Sequence, residues 1–138
     1  MSAIKTRTMI TQEITINGQP VTICYCYATE LNYKIMTGEE INGIINELIA
    51  AINSKEQTNP DLQKAANLIM SAILAYYASK GEDEKAPFQT SLQVLTSIKP
   101  AELGIALAQI INMWAKFYEI PTGEPKEKKT KGGRKKNS

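Results

Sequence analysis

Ile10-Thr11-Gln12-Glu13-Ile14-Thr15-Ile16-Asn17-Gly18-Gln19-Pro20-Val21-Thr22-Ile23-Cys24-Tyr25-Cys26-Tyr27 is the stretch on which the fold turns. On both sides of Asn17-Gly18 apolar residues recur at every second position, as Ile10, Ile14 and Ile16 before it and Val21, Ile23, Tyr25 and Tyr27 after it; Gln12 is the exception. Alternate side chains of a strand share one face. Asn-Gly tolerates the two positive φ angles that a tight hairpin turn demands. The spacing predicts a β-hairpin over residues 9–27. Two strands alone are barely stable, so their apolar face must lie on something else.

The remaining periodicity is helical. Thr29 is placed to cap a short helix over residues 29–36, with Leu31, Ile35 and Tyr33 as its apolar contacts and Gly38 as its stop. Thr37 followed three residues later by Glu40 reads as a capping box for the next helix. There Ile41, Ile44, Ile45, Leu48, Ile49 and Ile52 form one stripe. Asn59-Pro60 marks a third start and Lys80-Gly81 a third stop, and residues 65 to 78 are apolar almost all round, broken by Asn67 and Ser71. A shorter helix over residues 87–97 turns Phe88, Leu92 and Leu95 inward. Pro100 opens a fifth, reaching about Glu119 with Leu103, Leu107, Ile110, Ile111, Met113, Trp114, Phe117 and Tyr118. The expected class is α+β and mostly helical, an N-terminal hairpin packed on four to five helices.

Residues 1–120 make one domain, hairpin 9–27 and helical body 29–119, and 121–138 a flexible lysine-rich tail. In that tail seven basic residues meet two acidic ones, a net of +5, so of the formal +2 the body carries about −3. The third helix has too short an apolar run to cross a membrane, and the fifth is interrupted by Glu102, Gln109, Asn112 and Lys116. Thr6, Thr8, Thr11, Gln12 and Glu13 break any signal-peptide pattern, and Cys24 and Cys26 are poorly placed to bond each other. A cytoplasmic location is expected.

The chain has no histidine, which removes the commonest general base and the commonest metal ligand together. Glu39-Glu40 and Glu82-Asp83-Glu84 are each adjacent in sequence rather than converging from separate elements, so a structural role is expected of them. Cys24-x-Cys26 lacks the further ligands of a zinc site and reads as a pair of small buried side chains. No catalytic residue, metal or cofactor is expected, and the chain is read as non-enzymatic.

Two candidate surfaces remain. Tyr76, Tyr77, Trp114, Phe117 and Tyr118 are candidate partner-binding aromatics on two helices whose apolar character exceeds what a body of this size needs, although the same residues would serve equally as core. Lys128, Lys129, Lys131, Arg134, Lys135 and Lys136 are candidate phosphate-binding residues of the tail, with no aromatic after Tyr118 to stack on bases.

Ile14-Thr15-Ile16-Asn17-Gly18-Gln19-Pro20-Val21-Thr22-Ile23, then Ala28-Thr29-Glu30-Leu31-Asn32-Tyr33-Lys34, Thr37-Gly38-Glu39-Glu40-Ile41 and the closing Phe117-Tyr118-Glu119-Ile120-Pro121 resemble the tail assembly chaperones of long-tailed bacteriophages and prophages. The resemblance covers about 120 residues. It implies a protein of the host bacterial cytoplasm that binds the helical tape measure protein and keeps it soluble until tail tube subunits, a further partner, polymerise around it. In many such phages a ribosomal frameshift yields a longer product, and Lys128-Lys129 and Lys135-Lys136 are compatible with slippery codons. The family supplies no catalytic residues. The alternatives are a nucleic-acid-associated accessory protein acting through the basic tail, and a small self-associating structural protein.

Overall fold

The structure, a computed structural model, describes residues 9–54 and 61–120. Strands β1 (Ile10–Ile16) and β2 (Gln19–Tyr25) form an antiparallel hairpin. Helices α1 (Tyr27–Thr37), α2 (Ile41–Asn53), α3 (Leu62–Ser79), α4 (Ser91–Leu95) and α5 (Pro100–Phe117) follow, with one 3-10 turn at Asp83–Lys85. The fold is therefore α+β and mostly helical, as the periodicity predicts.

Asn17 and Gly18 take φ of 53° and 79°, the pair of left-handed conformations that lets a two-residue turn match the strand twist. Register follows, with Ile14 opposite Val21 and Ile10 opposite Tyr25, so Ile14, Ile16, Val21, Ile23 and Tyr25 lie buried on one face. That face is covered by α3 and α5. The turn itself is fastened: the amides of Asn17 and Gly18 donate to the two oxygens of the Glu102 carboxylate at 2.7 and 2.9 Å, and the Lys99 amide donates to the same group at 2.9 Å. Glu102, in the first turn of α5, thus caps its own helix and pins the hairpin to it. These bonds, led by that from Lys99, hold its carboxyl below the usual range.

At the centre stands α3. Asp61 accepts from the Lys64 amide to start it, and Gly81, at φ 68°, follows its end. The start read at Asn59-Pro60 lies outside the described residues. Ala65, Ala66, Ser71, Ala72 and Ala75 are buried and small, so β2, α1 and α4 approach closely, while Leu68, Ile69, Met70 and Ile73 fill the space between. The all-round apolar pattern of α3 is answered within the chain.

Several local expectations are corrected. Tyr27 is not the end of a strand but the first residue of α1, and it is exposed. Thr29 is not the cap of α1: Cys26 is, and Thr29 lies inside the helix, accepting from the Cys26 amide at 3.2 Å and donating to the Cys24 carbonyl at 2.9 Å. Leu31 and Ile35 point outward, 58% and 73% exposed, because Thr29 and Tyr33 are the residues that α1 turns toward the core. Thr37 closes α1 by donating to the Tyr33 carbonyl, leaving Glu40 to precede α2. Helix α4 is shorter than read, capped at Thr90 with Gln93, and buries Val94 rather than Leu92. The tail and its six basic candidates lie outside the described residues.

Two predictions follow from this packing. The Tyr33 ring is fully buried, yet among the described residues its hydroxyl has no hydrogen-bond partner. Tyr33→Phe should leave stability unchanged or raise it by about 1 kcal/mol in chemical denaturation, since an unpaired buried hydroxyl costs that much or more; a clear loss would show that the hydroxyl is engaged. Glu102→Gln should destabilise the fold at neutral pH. Because the folded carboxyl titrates below its usual 4.5, its contribution is present above that value and lost as pH falls through the folded pKa, so the variant and the parent should converge in stability in acid.

Candidate functional site

α2 and α5 meet only sparingly, and an apolar groove opens between them. The N-terminal half of α2 buries Ile41, Ile44, Ile45 and Leu48, but its last turn leaves Ile52 63% exposed. Across from it Leu103, Leu107 and Ile111 of α5 form the facing wall, and Ile98, Pro100 and Leu62 close one end. Leu48 and Leu107 are its buried lining residues, 4% and 6% exposed, and Gly104 and Ala108, exposed and one turn apart on α5, line it as well; nothing lies within 4 Å of where a Cβ on Gly104 would be. A backbone can approach closely past residues this small. This stretch has a volume of about 640 Å³. A second, of about 470 Å³, shares Ile52, Ala108 and Ile111 with it and continues to Trp114, Ala115 and Ile120. Together they run along some three turns of α5, about 18 Å at helical rise. Among the described residues Lys99 is the one charged residue on the lining.

The five aromatic candidates do not form one surface. Tyr76 and Tyr77 pair edge to face at 5.1 Å on α3, with Lys80 Nζ 5.6 Å above the Tyr76 ring. The other three belong to a separate cluster. Phe117 packs on Tyr25 at 5.4 Å and on Tyr27 at 5.1 Å, and Tyr118 meets Phe117 and Trp114 at 5.0 and 6.3 Å. Tyr77, Trp114 and Phe117 are partly buried against the core, whereas Tyr118 is 39% exposed. Of the five, Trp114 alone lines the groove.

Glu30 organises this second cluster. Its Oε2 accepts from the Tyr25 hydroxyl at 2.7 Å and from the Tyr118 hydroxyl at 2.5 Å, tying α1, β2 and the end of α5 together. Partial burial, and then the bond to Glu30, pushes the Tyr118 hydroxyl up to about 12.

Beside this cluster lies a second exposed apolar feature. Tyr27, Leu31 and Ile35 follow one another at four-residue spacing along α1, and Tyr27 is 68% exposed. Of the two acidic clusters, by contrast, Glu39, Glu40 and Glu82 are engaged in ion pairs. Glu40 bonds Lys34 at 2.6 Å, Lys64 lies 3.7 Å from Glu39 and 3.4 Å from Glu47, and Lys85 lies 3.6 Å from Glu82.

Among the described residues no three histidine, cysteine or acidic side chains come together as a metal-holding group, and no helix is long and apolar enough to cross a membrane. Comparison of the chain with protein-family models, with curated proteins and with solved structures yields no match.

Sequence reasoning missed the groove. The signal available for it was the small pair Gly104-x-x-x-Ala108 on an otherwise bulky apolar helix, together with Ile52 at the far end of the α2 stripe.

Cys24 and Cys26 are both free thiols, Cys24 buried and Cys26 half-exposed where α1 begins. The Cys24 thiol bonds to Cys26, and with the amides of Ala28 and Thr29 it pulls the Cys26 thiol down to about 6, against the opposing effect of burial. Cys24 is held high by the same contact and by its burial. Alkylation of the folded protein by iodoacetamide, followed by peptide mass spectrometry between about pH 5 and 9, should modify Cys26 with a titration centred near 6 and spare Cys24. A Cys26 profile centred near the ordinary value of 9.0 would contradict the assigned environment.

Proposed function

We propose that this chain is a non-enzymatic tail assembly chaperone, which holds an amphipathic helix of the long tape measure protein in the groove between α2 and α5 and keeps that protein soluble in the host bacterial cytoplasm until tail tube subunits take over. The observation that carries the reading is the groove itself. Its lining is mostly apolar, Gly104 and Ala108 are small enough for a backbone to lie close, and its length suits three turns of helix. Each Leu- or Phe-sized anchor buried there contributes about 1.5–3 kcal/mol, so a few anchors suffice to hold a helix without any polar recognition code. The reading takes its partner from the sequence resemblance in the hairpin and the first two helices, and the groove supports it.

Co-expression with the tape measure protein of the same phage tests the reading. The soluble fraction of that protein should rise with the wild-type chain. Ala108→Glu, which puts a carboxylate on the groove lining, should reduce the gain severalfold, because a charge cannot be covered by an apolar helix without a partner. No gain in solubility would overturn the proposal, and a gain untouched by Ala108→Glu would move the binding site elsewhere.

The alternative in which the tail binds nucleic acid rests on the +5 net charge of residues 121–138. A chain ending at residue 120 should solubilise its partner as well as the full chain does. If full-length protein instead binds DNA or RNA with a strong salt dependence that truncation abolishes, the nucleic-acid reading prevails.

A further inference from the structure

The molecule carries two apolar features of complementary shape on different parts of its surface. One is convex: the ridge of Tyr27, Leu31 and Ile35 on α1, exposed by 68%, 58% and 73%. The other is the concave α2/α5 groove, lined by Gly104 and Ala108 among others. No residue of α1 lines the groove. Within one chain the two cannot meet, because α1 is packed along α3 and β2 and is joined to α2 by only the three residues from Gly38 to Glu40.

We propose that a second copy of this chain fills the groove, the α1 ridge of one molecule docking between α2 and α5 of the next, so that free protein associates head to tail.

Three observations favour this occupant. The first is fit. A ridge at i, i+4 and i+8 is the kind that packs into a groove between side-chain rows of another helix. From Tyr27 to Ile35 it spans about 12 Å, within the roughly 18 Å of the groove.

The second is economy of apolar surface. A two-fold pairing of α1 with α1 would cover the ridge and leave the groove open, whereas one head-to-tail contact covers both features at once. Contacts between unlike patches are heterologous, so an open chain of copies keeps a free ridge at one end and a free groove at the other until a ring closes.

The third is size, which fixes the strength. The three ridge side chains expose on the order of 400 Å² together, about half of what one side of a standard stable interface buries. The association is accordingly weak and concentration-dependent, and it does not require a tape measure protein or any other partner.

Sedimentation or light scattering on the full chain tests this with two variants, both at exposed positions. Leu31→Glu/Ile35→Glu removes the ridge and keeps the groove; Ala108→Glu spoils the groove and keeps the ridge. Circular dichroism and melting establish that each remains folded, and Ile52→Glu, also exposed, replaces Ala108→Glu if that variant does not. The wild type should rise past twice its 15.3 kDa chain mass as concentration increases to roughly 0.5 mM. Each variant alone should stay monomeric, and the equimolar mixture should form a 1:1 complex and nothing larger, since only one good ridge and one good groove remain.

A wild type that stays monomeric at that concentration overturns the proposal, as does a groove variant that still dimerises alone, which would indicate α1–α1 pairing. A monomeric wild type that nonetheless solubilises its partner would remove self-docking and leave the proposed function standing; an associating wild type that rescues nothing would do the reverse.

Discussion

Burial of α3 on nearly every side is the constraint on which the rest of the fold depends. A helix apolar around its circumference must find cover in all directions, and in a chain this small the cover has to come from every other element. The hairpin, α1 and α4 press against it, and its alanines and Ser71 are what allow them near. Deletion of any one of these layers would expose a face of α3 rather than merely remove a contact. The hairpin shares in the dependence, since two strands become stable only by laying Ile14, Ile16, Val21 and Ile23 on helices. One consequence concerns function directly: apart from Leu62 at its start, which reaches the groove, most of the apolar surface of α3 is consumed by the fold.

With α3 enclosed, apolar surface to spare is left on α1 and α5, and two carboxylates hold the ends of α5. Glu102 fixes the first turn of α5 to the hairpin through two backbone amides, those of Asn17 and Gly18, and Glu30 fixes the residue after its last turn through the Tyr118 hydroxyl. A helix held at both ends need not collapse onto its neighbour in the middle. The gap between α5 and α2 persists over Gly104 and Ala108 because these side chains are too small to bridge it, and Ile52 stays exposed across from them. Polar fasteners at the ends and missing bulk in the middle are thus two parts of one arrangement.

How much of this was legible in the sequence follows from what each signal measures. Asn17-Gly18 between alternating apolar residues specified the hairpin and its register, because turn geometry and period act on the same few residues. The α2 stripe and the all-round pattern of α3 were equally plain. Leu31, Ile35 and Leu92 were misread for a common reason: helical periodicity shows that apolar residues share a face, and only the neighbouring elements decide whether that face is covered. Thr29 and Thr37 were misread because a hydroxyl three residues before or after a turn serves several local bonds, and tertiary contact with Cys24 and Tyr33 chose among them. The clasp of Glu102 on Asn17 and Gly18 joins residues 85 and 84 apart in sequence, and no local pattern announces it. The groove was invisible for the opposite reason, since it is made of what α5 lacks.

The two proposals bear on one another through mass action. A groove that takes the α1 ridge of a neighbour cannot at the same time take a foreign helix, so the partner must out-compete self-docking. The ridge offers three anchors on a short helix, whereas a long amphipathic partner presents its apolar face over the full length of the groove and can engage several copies in succession. Such a competitor gains more per displaced copy than the ridge does, and each displacement releases the ridge of a neighbour whose own groove can then be filled by another segment in the same way. Weak self-association is then a use for surfaces that would otherwise stand exposed in the unoccupied protein: it covers apolar groups while no partner is present and yields when one arrives. A tight dimer through the same groove would defeat the proposed function, which is why the modest area of the ridge, and not its mere existence, is what makes the two readings compatible.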